Sequence, residues 1–218
     1  MKNKVIAVTL VGLVAVTVLT GCGKKKVGDI TVGAGENAIF LEKNGKVSYA
    51  IGEAFDKDYY NKKDLKQKIK SEVKDFNKNS HSAKLNSFWI DNKLATAIFT
   101  FSSKEEFEDY IHDCNGIKEF YIGDISGALS EGFEIVGEFT KVEDGKLTQQ
   151  TSISKDIKNM SANIIVVDHP TKIQLEKGDI KYVSSSCKVD EGIVTVSSET
   201  FISGKGMVDY AYVVYEDN

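Results

Sequence analysis

The chain has 218 residues, 28 of them basic against 32 acidic, for a net charge of −4. Every basic residue is lysine, so the chain lacks the guanidinium forks that grip phosphates and guanine edges in pairs. With the acidic balance, this argues against a nucleic-acid partner, while 41% hydrophobic and 28% charged residues describe a folded, soluble main body.

Met1-Lys2-Asn3-Lys4 is a short basic start, and Val5 to Leu19 is an uncharged run of Val, Ile, Ala, Leu, Thr and Gly. That run is shorter than the roughly 20 apolar residues a membrane-spanning helix needs. A basic start, a short apolar stretch and small residues make a secretory signal. The small residues lead into a cysteine, and Leu19-Thr20-Gly21-Cys22 resembles the lipobox of bacterial lipoprotein precursors. The resemblance implies a diacylglycerol on the Cys22 sulfur and signal cleavage between Gly21 and Cys22. It places the mature protein on the outer face of the bacterial cell membrane. Residues 1–21 are then the signal peptide and 22–29 a lipid-anchored tether. Each buried methylene contributes about 0.8 kcal/mol, so one acyl chain holds marginally and two hold stably. Lys24-Lys25-Lys26 would add about 1 kcal/mol each against an anionic surface.

After the tether, Ala38 to Lys43 and Lys46 to Ile51 flank Asn44-Gly45. That dipeptide suits a tight hairpin because both turn positions need positive φ. Asn61 is placed to cap a helix to about Asn77, with Leu65, Ile69, Val73 and Phe76 on one face. Leu85 to Ile90 and Leu94 to Phe101 read as strands around Asp91-Asn92-Lys93. Ser103-Lys104-Glu105-Glu106 has capping-box spacing and opens a helix ending near Cys114, stopped by Asn115-Gly116. Phe120 to Ile122 is a short strand, Asp124 caps a brief helix, and Phe133 to Val142 and Leu147 to Ile153 form a hairpin around Asp144-Gly145. A helical turn through Asp156 to Met160 follows. From Asn163 onward come five short β-branched or aromatic runs about ten residues apart, separated by turn signals, which is an all-β pattern. The expected fold is α+β: an antiparallel sheet with two amphipathic helices over 30–160, then a β-rich portion over 161–218. The two portions are able to share one core.

Cys114 and Cys187 remain besides Cys22. Export permits a disulfide. Both residues lie on apolar stripes, however, which favours two buried, unbridged thiols packing as small hydrophobes. Phe120-Tyr121-Ile122-Gly123, Ile180 to Ser185 and Tyr212-Val213-Val214-Tyr215 are similar to stretches in uncharacterised surface lipoproteins of Gram-positive gut bacteria. That resemblance implies a fold and a location, not a reaction.

Chemistry is sparse. His81, His112 and His169 have no ligand-spaced partners, and no zinc, EF-hand, Walker or dinucleotide pattern is present. Asp56-Lys57-Asp58 lacks the loop glycine that calcium binding needs, because Asn61 stands there. Ser71-x-x-Lys74 falls on a charged helix face without the companion motifs of penicillin-recognising enzymes. Asp168-His169 could act as an acid–base pair, but reads better as a solvated turn. No catalytic, metal or cofactor residue is therefore assigned. We expect a non-catalytic binding or scaffolding module, anchored through Cys22, with a surface protein or glycan as partner. Its contact would be a sheet edge or the tyrosines Tyr59, Tyr60, Tyr210, Tyr212 and Tyr215. Trp89 reads as a core or rim residue. A small hydrolase or a solute-binding receptor with a cleft between the two portions is the alternative.

Overall fold

The computed structural model describes residues 26–114, 117, 119–203, 206–207 and 210–217, without the side chains of 114, 202–203 and 206–207. The expected signal peptide over residues 1–21, the Leu19-Thr20-Gly21-Cys22 motif and Cys22 itself lie outside the described residues. No helix among them is long and apolar enough to cross a membrane.

The first hairpin joins β1 (Glu36–Leu41) to β2 (Val47–Ala54). Only Gly45 takes the left-handed conformation, with φ 82. Asn44 does not, and its Oδ1 instead accepts from Lys46 N at 3.0 Å. Gly45 N donates to Glu42 O and Glu42 N to Lys46 O, both at 2.9 Å. The loop is thus wider than the two-residue turn expected from Asn44-Gly45. α1 (Lys62–Phe76) begins where Asn61 Oδ1 accepts from Lys63 N and Asp64 N. Its stripe is only partly covered: Val73 and Phe76 are buried, Leu65 and Ile69 half-buried. β3 (Lys84–Asp91) and β4 (Leu94–Phe101) meet at Asn92-Lys93, both at positive φ, the mirror-image turn that suits strand twist. α2 (Lys104–Cys114) starts at Ser103, whose Oγ accepts from Glu106 N at 3.2 Å. Then come β5 (Phe120–Asp124) and α3 (Ile125–Ser130), capped by Asp124. β6 (Glu138–Glu143), β7 (Lys146–Ile153) and α4 (Ser154–Lys158) follow. Next are β8 (Asn163–Val167), β9 (Thr171–Leu175), β10 (Asp179–Ser184), β11 (Lys188–Asp190) and β12 (Ile193–Val196). A two-residue ladder of β13 (Ile202–Ser203) and β14 (Gly206–Met207) precedes β15 (Ala211–Glu216).

These strands build two sheets, in the orders β11-β12-β9-β1-β2-β4-β3 and β5-β8-β15-β10-β6-β7. The expected α+β fold is therefore wrong: the protein is a β-rich sandwich, with its helices at the margins. The physical reason lies in the pairing. Sequence periodicity marks strands and helices but not which strands join. Strands from both sides of residue 160 interleave, with β1 parallel to β9, β5 against β8 and β6 against β10. Helical periodicity in α1 and α2 suggested a helical layer, yet α1 keeps much of its stripe half-open.

Both sheets are buried on both faces at their central strands. Ile39, Leu41, Tyr49, Phe99 and Phe101 point inward from one, meeting Phe120, Ile122, Ile165, Val167, Val213 and Tyr215 of the other. The outer face of the six-stranded sheet, carrying Ile164, Val166, Tyr212 and Val214, is covered by Ile125 and Ala128 of α3, Ile135 and Ile157 of α4. This explains why β8 reads as a continuous apolar run rather than an alternation. The outer face of the seven-stranded sheet is covered by Val27, Ile30 and Val32, which lie over Ala38, Ala50 and Ile98. α2 plugs the central core from the side. The ring of Phe107 lies 5.2 Å from each of Tyr49, Phe101 and Phe120, and so touches both sheets.

The covering segment runs across the sheet from one end to the other. Gly28 sits against Phe40 and Gln174, whereas Gly33 O lies against Gly52. Val27 is therefore at the end where β1 finishes and residue 33 at the end where it starts.

Two substitutions test this packing. Phe107→Ala should cost about 3–5 kcal/mol in urea unfolding, because it hollows the contact between the sheets. At Gly52 an added Cβ would collide with the backbone carbonyl of Gly33. Gly52→Ala should therefore loosen residues 27–33, read as faster amide exchange at Ile30 and Gly35 with the central core still protected.

Candidate functional site

The residues singled out for chemistry are scattered. His81 stacks on Phe76 with ring centroids 4.1 Å apart, and His112 is exposed on α2. Ser71 and Lys74 are exposed on α1, and Asp56-Lys57-Asp58 lies in an exposed loop. No group of three or more His, Cys, Asp or Glu with metal-holding geometry occurs among the described residues. Cys187 is a free, buried thiol, which burial pushes up to about 12, so it is protonated and unreactive. The side chain of Cys114 lies outside the described residues. Trp89 is half-buried, packed against the cluster under the N-terminal segment.

Asp168 and His169 are not the solvated turn residues expected. They occupy the β8–β9 turn with side chains 23% and 15% exposed, and His169 Nδ1 lies 2.9 Å from Asp168 Oδ1. Asp168 Oδ2 also accepts from Glu119 N at 3.2 Å, tying the turn to the start of β5. The other ring nitrogen, Nε2, is buried, and nothing among the described residues hydrogen-bonds it. The turn thus holds an oriented imidazole without a nucleophile in hydrogen-bond contact.

The five tyrosines divide. Tyr212 and Tyr215 are each 1% exposed. Tyr212 Oη donates to Glu134 O at 2.8 Å, and Tyr215 Oη accepts from Lys104 Nζ at 2.9 Å. Tyr210 is half-buried beside Phe133 and Tyr212. These three are packing residues. Tyr59 and Tyr60, 80% and 36% exposed, are different. Their rings lie 4.9 Å apart edge to face, and Tyr60 is 5.2 Å from Phe55. The three rings form an aromatic cluster in the β2–α1 loop, with the two tyrosines exposed and Phe55 half-buried. This loop stands beside the Asn92-Lys93 turn, through Phe55 N to Lys93 O at 2.7 Å. It lies at the end of the sheet where β1 starts, because Glu36 pairs with Gly52.

The opposite end, where β1 and β9 finish, carries a small cavity of about 250 Å³. Lys43, Lys104, Lys177, Glu42, Asp217 and Tyr215 line it, with the apolar side chains of Leu41 and Leu175. The edges of the sandwich are also informative. β7 is the outer strand of the six-stranded sheet and exposes Leu147 and Ile153. The other outer strand, β5, is protected: Ile122 N donates to Glu108 Oε1 of α2 at 2.5 Å.

Sequence reasoning missed Glu108, which looks like one more helix-surface acid. Burial raises its carboxyl to about 7, reinforced by Glu131, Glu105 and Asp109 and opposed by the Ile122 bond. Glu106, one residue short of the Phe107 plug, shows the contrary balance. Burial would raise it, but donors from Ser102 and Ser82 outweigh that and hold it below the usual carboxylate range. It pins the segment before β3 to the start of α2.

No protein-family model, no curated protein and no solved structure matches the chain.

The Glu108 carboxyl predicts a pH effect. Its folded value lies above the ordinary 4.5, so the folded state holds the proton longer and stability falls as pH rises from 4.5 towards 7. Glu108→Gln keeps an acceptor for Ile122 N and removes the charge. It should be more stable than the parent above pH 7 by about 1 kcal/mol after solvent screening, with the difference gone by pH 4.5. Urea unfolding at the two pH values measures it.

Proposed function

We propose that the protein is a lipid-anchored, extracytoplasmic, non-catalytic binding or scaffolding module that holds an aromatic loop away from the membrane. One observation carries this reading. The chain joins the fold at Val27, five residues after Cys22, at one end of the seven-stranded sheet, and Tyr59 and Tyr60 are exposed at the other, beside half-buried Phe55.

The stretch from Cys22 to Val27 spans at most about 18 Å. A lipid on Cys22 would therefore keep that end against the headgroups. Strands of six to eight residues place the loop roughly 20–27 Å further out. Tyrosine and phenylalanine there offer amphipathic contact area at small conformational cost, suited to a surface protein or a glycan ring face. The resemblance of Leu19-Thr20-Gly21-Cys22 to a lipobox supplies the anchor. The similarity of the Phe120, Ile180 and Tyr212 stretches to surface lipoproteins agrees with the location.

A small hydrolase is the second reading, drawn from the unpartnered Nε2 of His169 beside Asp168. Hydrolytic turnover that disappears in His169→Ala, with the fold intact, would favour it.

The anchor is tested by growing cells with a labelled fatty acid. The parent should incorporate label and Cys22→Ala should not; label retained in Cys22→Ala would refute the anchor. Tyr59→Ser with Tyr60→Ser should change stability by no more than about 0.5 kcal/mol. On intact cells a photo-crosslinker at position 59 should give a discrete product, whereas one at Lys66 on α1 should not.

A further inference from the structure

We propose that the cavity at the tether end is a headgroup site for an anionic membrane phospholipid, its lysines gripping the phosphoryl oxygens. The inference rests on the anchored reading above for the source of the ligand, and on the cavity itself for its chemistry.

Lys43, Lys104, Lys177 and Tyr215 line this small space, together with Glu42 and Asp217. Lys104 Nζ, held by Tyr215 Oη at 2.9 Å, also lies 5.3 Å from the centroid of the Tyr215 ring. No ion pair within 4.0 Å is formed by Lys43, Lys104 or Lys177 among the described residues. Two acids, Glu42 and Asp217, also line the space, so its three lysines exceed the lining carboxylates by one. Glu42 Oε1 accepts from Ser48 Oγ at 2.9 Å, and Asp217 Oδ2 accepts from Asn163 Nδ2 at 2.8 Å. Glu176 Oε2 is turned to the backbone N of Lys43 at 3.0 Å. Lysine binds phosphate as a point charge, and several around one pocket suit a tetrahedral anion with oxygens on every side. Leu41 and Leu175 beside them suit the glycerol and first methylenes of a lipid better than a fully hydrated ion.

Position decides between a lipid and a free anion. The loop of Lys43 and Gly45 follows β1, and Lys177 follows β9; both strands finish where Gly28 rests on Phe40 and Gln174. The tether therefore enters the fold beside the mouth of the cavity. A chain anchored at Cys22 would turn this mouth, with Lys24-Lys25-Lys26, towards the membrane surface. The lipid on Cys22 would then supply attachment, and the cavity would orient the sandwich by seating one headgroup.

The test uses residues 24–218, which contain every residue of the three cores, Val27 being the first. Cooperative urea unfolding establishes its fold. Flotation is compared on vesicles of phosphatidylglycerol with phosphatidylcholine and on pure phosphatidylcholine, with inorganic phosphate as competitor. The parent should bind the anionic vesicles at least tenfold more tightly than the neutral ones. Lys43→Gln, Lys104→Gln and Lys177→Gln together should weaken that binding about tenfold or more. The same charge change made on α1, at Lys66, Lys68 and Lys70, should weaken it less than twofold. Equal losses in the two triple variants would overturn the site, leaving only diffuse attraction. Inorganic phosphate that displaces the protein at concentrations matching the ionic strength of a sulfate control supports the lipid; displacement at far lower phosphate overturns it in favour of a free anion. None of these readouts uses Cys22, so a failed labelling experiment and a failed cavity are told apart.

Discussion

Phe107 is the contact on which the sandwich depends. Two sheets of seven and six strands share one core, and α2 packs into it. Phe107 meets Tyr49 and Phe101 of one sheet and Phe120 of the other, while Tyr110 continues the cluster to Phe76 and Phe99. The helix is then fixed by polar contacts on either side of the plug. Glu106 collects donors from Ser102 and Ser82, and Glu108 takes the outward N–H of Ile122 on β5. A short helix thus closes the core, locks the approach to β3 and shields a sheet edge. An elevated carboxyl at Glu108 is the electrostatic consequence of shielding that edge with an acid.

The sandwich is also polar along its strands. One end receives the N-terminal segment beside a lysine-lined cavity. The other displays Phe55, Tyr59 and Tyr60, with the Asp168-His169 turn at the same end, since Thr171 opens β9 alongside the start of β1. At the flank the two hairpin tips meet, with Gly192 N donating to Gly145 O at 3.1 Å. The two ends of the sandwich therefore differ in chemistry. The outer faces carry cover, one from Val27, Ile30 and Val32 and the other from α3 and α4, whereas the outer strands include β3, β7 and β11.

Local chemistry was legible before any coordinates. Asn61 and Asp124 cap their helices, Ser103 receives the Glu106 N–H, and Asp144-Gly145 turns as its dipeptide dictates. These are decided within four residues, by a side chain reaching a nearby backbone group or by a residue that tolerates positive φ. Asn44-Gly45 shows the limit: both residues suit the turn, but side-chain hydrogen bonding by Asn44 and the length of the hairpin register selected a wider loop.

What only the tertiary structure decided are the relations between distant residues. The pairing of β1 with β9, more than a hundred residues apart, turned the expected α+β arrangement into a sandwich, because strand propensity carries no information about partners. Burial of Tyr212 and Tyr215, and exposure of Tyr59, follow from where each strand sits, not from the side chain. Lys43, Lys104 and Lys177 are unremarkable in a lysine-rich chain and line one cavity only because the ends of β1 and β9 meet the start of α2. Sequence by itself determined the caps, most turns and the apolar runs, since each is local. Register, layer and site required the long-range contacts that bury both faces of each sheet.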